Sequence, residues 1–178
     1  MKVLLTFLLM VLTIPDANAY KRSDYKIWSD FNKNCFNTRH DILIERAITV
    51  TWIKDCKILD GKWIDSYDGK ELTNLQLIDI DHVIPLYYAD KHGLANDVKP
   101  VFGNDIDNLL ITSAKHNRTK GSKGIYQWHP EHPYLCKYAK IWQDIGYKYN
   151  LTFDKDDDVF IFKTLLECAE SDNNSLHK

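Results

Sequence analysis

The sequence predicts an α+β domain, and three observations carry that prediction. Strand-like and helix-like patterns come in separate runs rather than in βαβ alternation. Two Asp-Gly pairs and one period-two stretch mark strands in the first two thirds of the chain, while two helix-spaced apolar segments close it. The composition, 44% hydrophobic and 27% charged over 178 residues, is that of one folded domain rather than a disordered chain or a repeat array. A net charge of −2 gives no whole-chain attraction to nucleic acid or anionic lipid, so any polyanion must meet a local patch.

Taken in order, residues 1–19 read as a secretory signal. Lys2 is the basic start, and Val3 to Ile14 is an apolar run of 12 residues, short for a membrane span. Ala17-Asn18-Ala19 offers small residues for cleavage after Ala19, leaving residues 20–178 as a single domain that is periplasmic or secreted and free of the membrane. Export makes the four cysteines, Cys35, Cys56, Cys136 and Cys168, candidates for two disulfides. Three connectivities are possible; Cys35–Cys56 with Cys136–Cys168 is favoured because each pair brackets one compact segment. A metal reading of His129, His132 and Cys136 is weaker, since Pro130 and Pro133 interrupt any helix and thiols in such compartments oxidise.

Residues 38–48 are expected to be helical from a capping-box-like Thr38-Arg39-His40-Asp41, with Ile42, Leu43 and Ala47 as apolar positions. A β-hairpin is expected around Asp60-Gly61, with a second turn at Asp68-Gly69. Leu75 to Pro85 reads as a strand in its middle, and residues 86–104 as a long connection. Asn108 to Thr112 is a second strand, Ser113 to Lys120 a short polar helix stopped by Gly121, and residues 134–148 and 156–168 two helices. The acidic run Asp154 to Asp158 reads as a solvated helix start.

Three segments carry chemistry. Asp81-His82 sits at the end of a strand that Pro85 terminates, so that neighbours pointing to opposite faces can still meet one substrate. Asn108 precedes the second strand. Lys115 to Gly124 holds four cations, Lys115, Arg118, Lys120 and Lys123, and no acid. Singly, each is ordinary: a hydrogen-bonded pair, turn chemistry, a solvated face. Arg39 is expected to brace the core, Trp128 to anchor packing, and His40 to lie at the surface or at a cap.

Their joint order resembles a known family. Asp81-His82-Val83-Ile84-Pro85-Leu86, then Asp107-Asn108-Leu109-Leu110-Ile111, then Asn117-Arg118 with Lys120-Gly121 is similar to HNH (ββα-metal) endonucleases. The likeness is strongest to secreted HNH enzymes related to the C-terminal domain of GmrSD-type restriction endonucleases. It runs from Cys35 through Tyr67-Asp68-Gly69 and Trp128 to Leu165–Cys168. The resemblance implies a ββα-metal core over about residues 75–124, flanked by helices and by the N-terminal hairpin.

By that resemblance His82 is the general base, and Asn108 orients the base or its loop rather than touching the metal. Asp81 and Asn117 hold one divalent cation, Mg²⁺ first and Mn²⁺ second, with His116 as the alternative ligand to Asn117. A neutral imidazole can take a proton from water near pH 7, and hard oxygen ligands suit Mg²⁺. Lys115, Arg118, Lys120 and Lys123 are expected on phosphates, which position a backbone without reading bases. With no base-reading module, the expected activity is endonucleolytic hydrolysis of DNA with little sequence preference, double-stranded DNA first, with single strands and RNA left open. A monomer is expected. The competing reading is a disulfide-stapled binding module that kept the scaffold and lost activity; a zinc hydrolase would need a ligand cluster that the sequence does not offer.

Overall fold

A computed structural model describes residues 19–176, except the side chains of Trp52 and 172–176. The expected signal segment before Ala19 lies outside the described residues.

The chain opens with a helical turn at Arg22–Tyr25 and then α1 (Thr38–Glu45). Asn37, not Thr38, caps α1: its side chain accepts from the His40 amide. The Thr38 hydroxyl is used elsewhere, donating to Ser29 O and lying 2.8 Å from Asn104 Oδ1, which ties α1 to the segment before the last strand. Two antiparallel strands follow, β1 (Thr49–Lys54) and β2 (Lys57–Ile64).

The hairpin is where the sequence places it, but its turn is not. Asp55 and Cys56 both take positive φ, 49° and 58°, and make a two-residue turn between the strands. Asp60-Gly61 lies inside β2. Gly61 answers a packing need there: a Cβ would stand 2.6 Å from Cη2 of Trp63, a fully buried indole whose Nε1 donates to Leu43 O. The Asp68-Gly69 turn does form, with Gly69 at φ 73°, and leads to β3 (Glu71–Leu72) on β2.

The second sheet is β4 (Ile78–His82) paired antiparallel with β5 (Leu109–Ser113), in register from Ile78↔Ser113 to His82↔Leu109. Between them, the expected connection contains two short helices, α2 (Leu86–Lys91) and α3 (Lys99–Phe102). Six- and four-residue helices leave too little periodicity to read. They exist because Leu86, Tyr88, Ala89 and Phe102 are buried in the core and the Tyr25 hydroxyl donates to Leu86 O.

α4 (Ala114–Lys120) follows β5 directly, its first turn capped by the Ser113 hydroxyl oxygen and its end set by Gly121. One face of the β4–β5 ribbon sends Ile78, Ile80, Leu109 and Ile111 into a core shared with Ile42, Leu43, Ile58 and Trp63. The other face carries Asp79 and Asp81, which meet α4.

α5 (Tyr134–Tyr149) and α6 (Lys155–Leu176) complete the fold over a second, aromatic core that includes Tyr25, Phe102, Tyr138 and Trp142. Asn150 in the left-handed region ends α5. The start of α6 is solvated at Asp154, Asp156 and Asp158 as read from sequence, and departs from that reading at one residue: Asp157 is buried, accepting from the Tyr88 hydroxyl and the Tyr126 amide. The architecture is mixed helix and sheet with two disulfides, Cys35–Cys56 and Cys136–Cys168, the favoured one of the three connectivities.

Candidate functional site

β4 ends at His82, and the site is built around that end. His82 is 6% exposed. Its Nε2 lies 2.9 Å from Gly103 O, so this nitrogen carries the proton and Nδ1 carries the lone pair. Nδ1 bonds nothing among the described residues. Trp28 packs against the imidazole, ring centroids 6.0 Å apart.

Burial pushes the His82 pKa down to about 4, with the nearby cations Lys120 and Arg22 adding to the effect and the Gly103 carbonyl opposing it. The neutral ring is therefore the folded form. Its contribution to stability is complete above the unfolded value of about 6.5 and is lost as pH falls toward about 4. We expect this group to cost the fold about 3 kcal/mol across that window. Urea unfolding at pH 7 and pH 4.5 checks it: His82→Asn should flatten the pH dependence, and an unchanged slope would contradict the assignment.

Asn108 clamps the turn beyond His82. Its Oδ1 accepts from Ile84 N at 2.8 Å, its Nδ2 donates to Ile84 O at 3.2 Å, and its backbone carbonyl accepts from Val83 N. It is fully buried and holds the strand end without offering an atom to a ligand.

Asp79 and Asp81, two residues apart, share the ribbon face that meets α4. Across from them Asn117 and Lys120, three residues apart, share one side of the helix. Asn117 Nδ2 donates to Asp79 Oδ2 at 3.0 Å, and Lys120 Nζ lies 3.0 Å from both oxygens of Asp81. The Tyr67 hydroxyl donates to Asp81 Oδ2 at 2.6 Å, and Lys120 also donates to His82 O at 2.7 Å. Lys120 is 0% exposed and Asp81 5%. Burial pushes the Asp81 carboxyl up and the Lys120 ammonium down, and each charge holds the other ionised.

The phosphate role expected for Lys120 is corrected by this arrangement. An ammonium sealed between a carboxylate and a carbonyl cannot meet a nucleic-acid backbone. Lys115, Arg118 and Lys123 are exposed, with Lys123 Nζ donating to Thr119 O. Arg39 braces β4 by donating to Ile78 O at 2.8 Å, beside Asp79.

His116 sits next to Asn117 but serves another partner. Its Nδ1 lies 2.9 Å from Asp65 Oδ2, and the buried Asp65 also accepts from Thr112, Tyr67 N and Ser113 N. Burial raises the Asp65 carboxyl, but these four donors outweigh it and leave it lowered. Asp65, Asp68 and His116 each bring a ligand atom within 4.8 Å of the others, beside a groove of about 390 Å³ walled by Tyr67, Trp128 and His129. A larger cavity of about 580 Å³, between Arg46, Ile106 and Ile145, contains none of the predicted site residues. Cys136 is disulfide-bonded, so His129, His132 and Cys136 do not form a thiolate site.

The pair implied for a divalent cation, Asp81 with Asn117, does not fit one as arranged. Both Asp81 oxygens are engaged by Lys120 and one also by Tyr67, while Asn117 faces Asp79. Asp65, Tyr67 and Gly103 were not singled out as site residues from sequence. Asp79 was legible: Asp-x-Asp on a strand puts both carboxylates on one face.

The chain is 31% identical over 141 residues to an uncharacterized secreted protein of the fungus Arthroderma benhamiae, a match covering 76% of this chain and 69% of the relative. The chain belongs to the family of that secreted protein. No protein-family model and no solved structure matches it. Among the described residues no helix is long and apolar enough to cross a membrane. The secreted relative and the two disulfides fit an extracellular protein.

Proposed function

We propose that the protein is an exported endonuclease of the HNH type, hydrolysing phosphodiester bonds of DNA with little sequence preference and acting also on RNA. The periplasm or the exterior is its compartment and the monomer its working form. The observation that carries this reading is His82: a neutral imidazole at a strand end, Nε2–H fixed on a carbonyl, Nδ1 without a hydrogen-bond partner among the described residues. It is supported by the order of β4, β5 and α4, an antiparallel pair followed at once by a helix, and by Asn108 clamping the turn after the base.

His82 Nδ1 takes a proton from water as the water oxygen bonds to phosphorus. The bond from phosphorus to the 3′ oxygen breaks, leaving a 5′-phosphate and, after protonation from solvent, a 3′-hydroxyl. Lys115, Arg118 and Lys123 hold the backbone by charge, so binding falls steeply with salt. A divalent cation, Mg²⁺ or Mn²⁺, would supply charge neutralisation at the phosphate in such a reaction.

Supercoiled plasmid is the test substrate, with oxidised protein, Mg²⁺ or EDTA, and wild type against His82→Ala. We expect nicking and linearisation that need the metal and drop by about 10²–10⁴ in the variant. No cutting of plasmid, single strands or RNA with Mg²⁺ or Mn²⁺ would leave the binding-module reading standing instead.

A further inference from the structure

We propose that the groove beside α4, between Tyr67 and Trp128, is the seat for one unpaired nucleobase of a single-stranded nucleic acid. The inference rests on the nuclease reading for the nature of the ligand and adds where one of its bases is held. The groove is distinct from the strand end that carries His82. Ser113, the cap of α4, pairs with Ile78 at the opposite end of β4, roughly 13 Å from His82 along the strand.

The walls are aromatic and are fixed from outside the groove. Tyr67 is buried, its hydroxyl tied to Asp81, and it meets Trp128 with ring centroids 5.0 Å apart at 69°. Tyr138 meets the same indole at 76°. Neither ring lies flat on Trp128, which is half-buried and borders the space of about 390 Å³. Tyr134 forms a further wall. The Asp68-Gly69 turn makes room for it: a Cβ on Gly69 would stand 1.8 Å from the Tyr134 hydroxyl oxygen. Ligand pockets run to about 300–1,000 Å³, so the space is of the right order for one base.

An imidazole is fixed at the edge of this space. His116 Nδ1 faces Asp65 Oδ2 at 2.9 Å, so Nδ1 carries the proton and Nε2 the lone pair. Asp65 is 1% exposed and is itself held by the Tyr67 and Ser113 amides and the Thr112 hydroxyl, which sets the orientation of the ring. Nε2, on the far side of the ring, takes no hydrogen bond among the described residues, and the part-exposed ring borders the groove. Its lone pair can accept from an exocyclic amine or a ring N–H of a base, and the exposed Glu131 carboxylate is a second acceptor on the same groove.

A metal ion does not fit here. Both Asp65 oxygens are filled by those four donors, and Asp68 accepts from the Lys70 amide and ammonium. Lys115 and Arg118, exposed on α4 to either side of His116 in sequence, can hold phosphates of the same strand. Stacking on aromatic side chains accepts any base, which agrees with little sequence preference.

The test is binding of a short, fluorescently labelled single-stranded DNA to the oxidised protein, read by anisotropy at low salt in EDTA. The same strand with abasic sites keeps the phosphates and lacks bases. We expect the abasic strand to bind at least about fivefold more weakly than the intact one. Trp128→Leu and His116→Asn should each weaken the intact strand by about fivefold or more and leave the abasic strand within about twofold. Asn keeps an N–H for Asp65 and lacks the outer ring nitrogen. Trp128→Phe keeps a ring and should stay within about threefold of wild type. Circular dichroism reports whether each variant is folded. The proposal is overturned if wild type binds intact and abasic strands alike, if it binds neither, or if either folded variant, Trp128→Leu or His116→Asn, holds the intact strand like wild type. Plasmid cutting is scored separately. Cutting by a protein that does not distinguish the two strands would sink the base seat and keep the nuclease reading, whereas base-dependent binding with no cutting would do the reverse.

Discussion

Lys120→Met is expected to lower the stability of the protein by about 3–5 kcal/mol. The side chain is 0% exposed and its ammonium contacts both Asp81 oxygens and the His82 carbonyl. Methionine keeps most of the volume and removes the charge. Asp81 would remain buried, with the Tyr67 hydroxyl as its one remaining side-chain donor among the described residues. A carboxylate in that position is driven toward its neutral form, so its folded pKa rises further above the unfolded value of about 4. The sign follows from linkage: an acid with a raised folded pKa favours the fold below its unfolded pKa, and this contribution is lost as pH rises. The deficit of the variant relative to wild type should therefore shrink between pH 7 and pH 4. Adding Asp81→Asn should recover much of the loss, because the uncompensated charge is then gone. Urea unfolding of the two variants at both pH values measures all of this. A Lys120→Met penalty under about 1 kcal/mol at pH 7 would show that the pair is not the buried ion pair described here.

The second large effect is expected from reduction. Cys35–Cys56 and Cys136–Cys168 close segments of 21 and 32 residues. Chain entropy makes each worth about 3–4 kcal/mol, and domains of this size are stable by only about 5–15 kcal/mol in all. Reducing both should bring the fold close to its limit. Cys56 occupies a positive-φ position in the β1–β2 turn, and Cys35 lies in the exposed approach to α1. Cys136 and Cys168 join α5 to α6. Thermal melts with and without reductant, and of the Cys136→Ser/Cys168→Ser pair, give the numbers. A nuclease that folds only after oxidation would be harmless in the compartment that makes it. Reduced protein that melts within a few degrees of the oxidised form and cuts plasmid equally well would refute that idea.

Most elements were legible because their signals are local. Period-two alternation around Ile78–His82, the Asp68-Gly69 turn, the Ser113 cap with its Gly121 stop, and the helical spacing of Leu135, Tyr138, Trp142 and Ile145 depend on neighbours in the chain. An even cysteine count was enough for two bridges. The misplaced hairpin turn shows the limit. Asp60-Gly61 carries the stronger turn chemistry, yet the indole of Trp63 needs the space above Gly61, and the disulfide at Cys56 holds the actual turn at Asp55-Cys56, outside any Asp-Gly pair. The short helices α2 and α3 were invisible for a related reason: their stability comes from the core they cover.

The same division runs through the site. Residue order brings His82 and Asn108 to one end of the β4–β5 pair and puts Asn117 on the helix that follows β5 at once, where it faces Asp79. What each side chain does was a matter of three dimensions. Lys120 looks in sequence like its neighbours Lys115 and Arg118, and only the helix turn that points it at Asp81 makes it an internal counter-ion. Asp65, Tyr67 and Gly103 are distant along the chain from the groups they hold, and no pattern couples residues at such separations. Local sequence specifies which backbone each segment prefers; burial and charge pairing across the fold decide which carboxylate is sealed and which faces water.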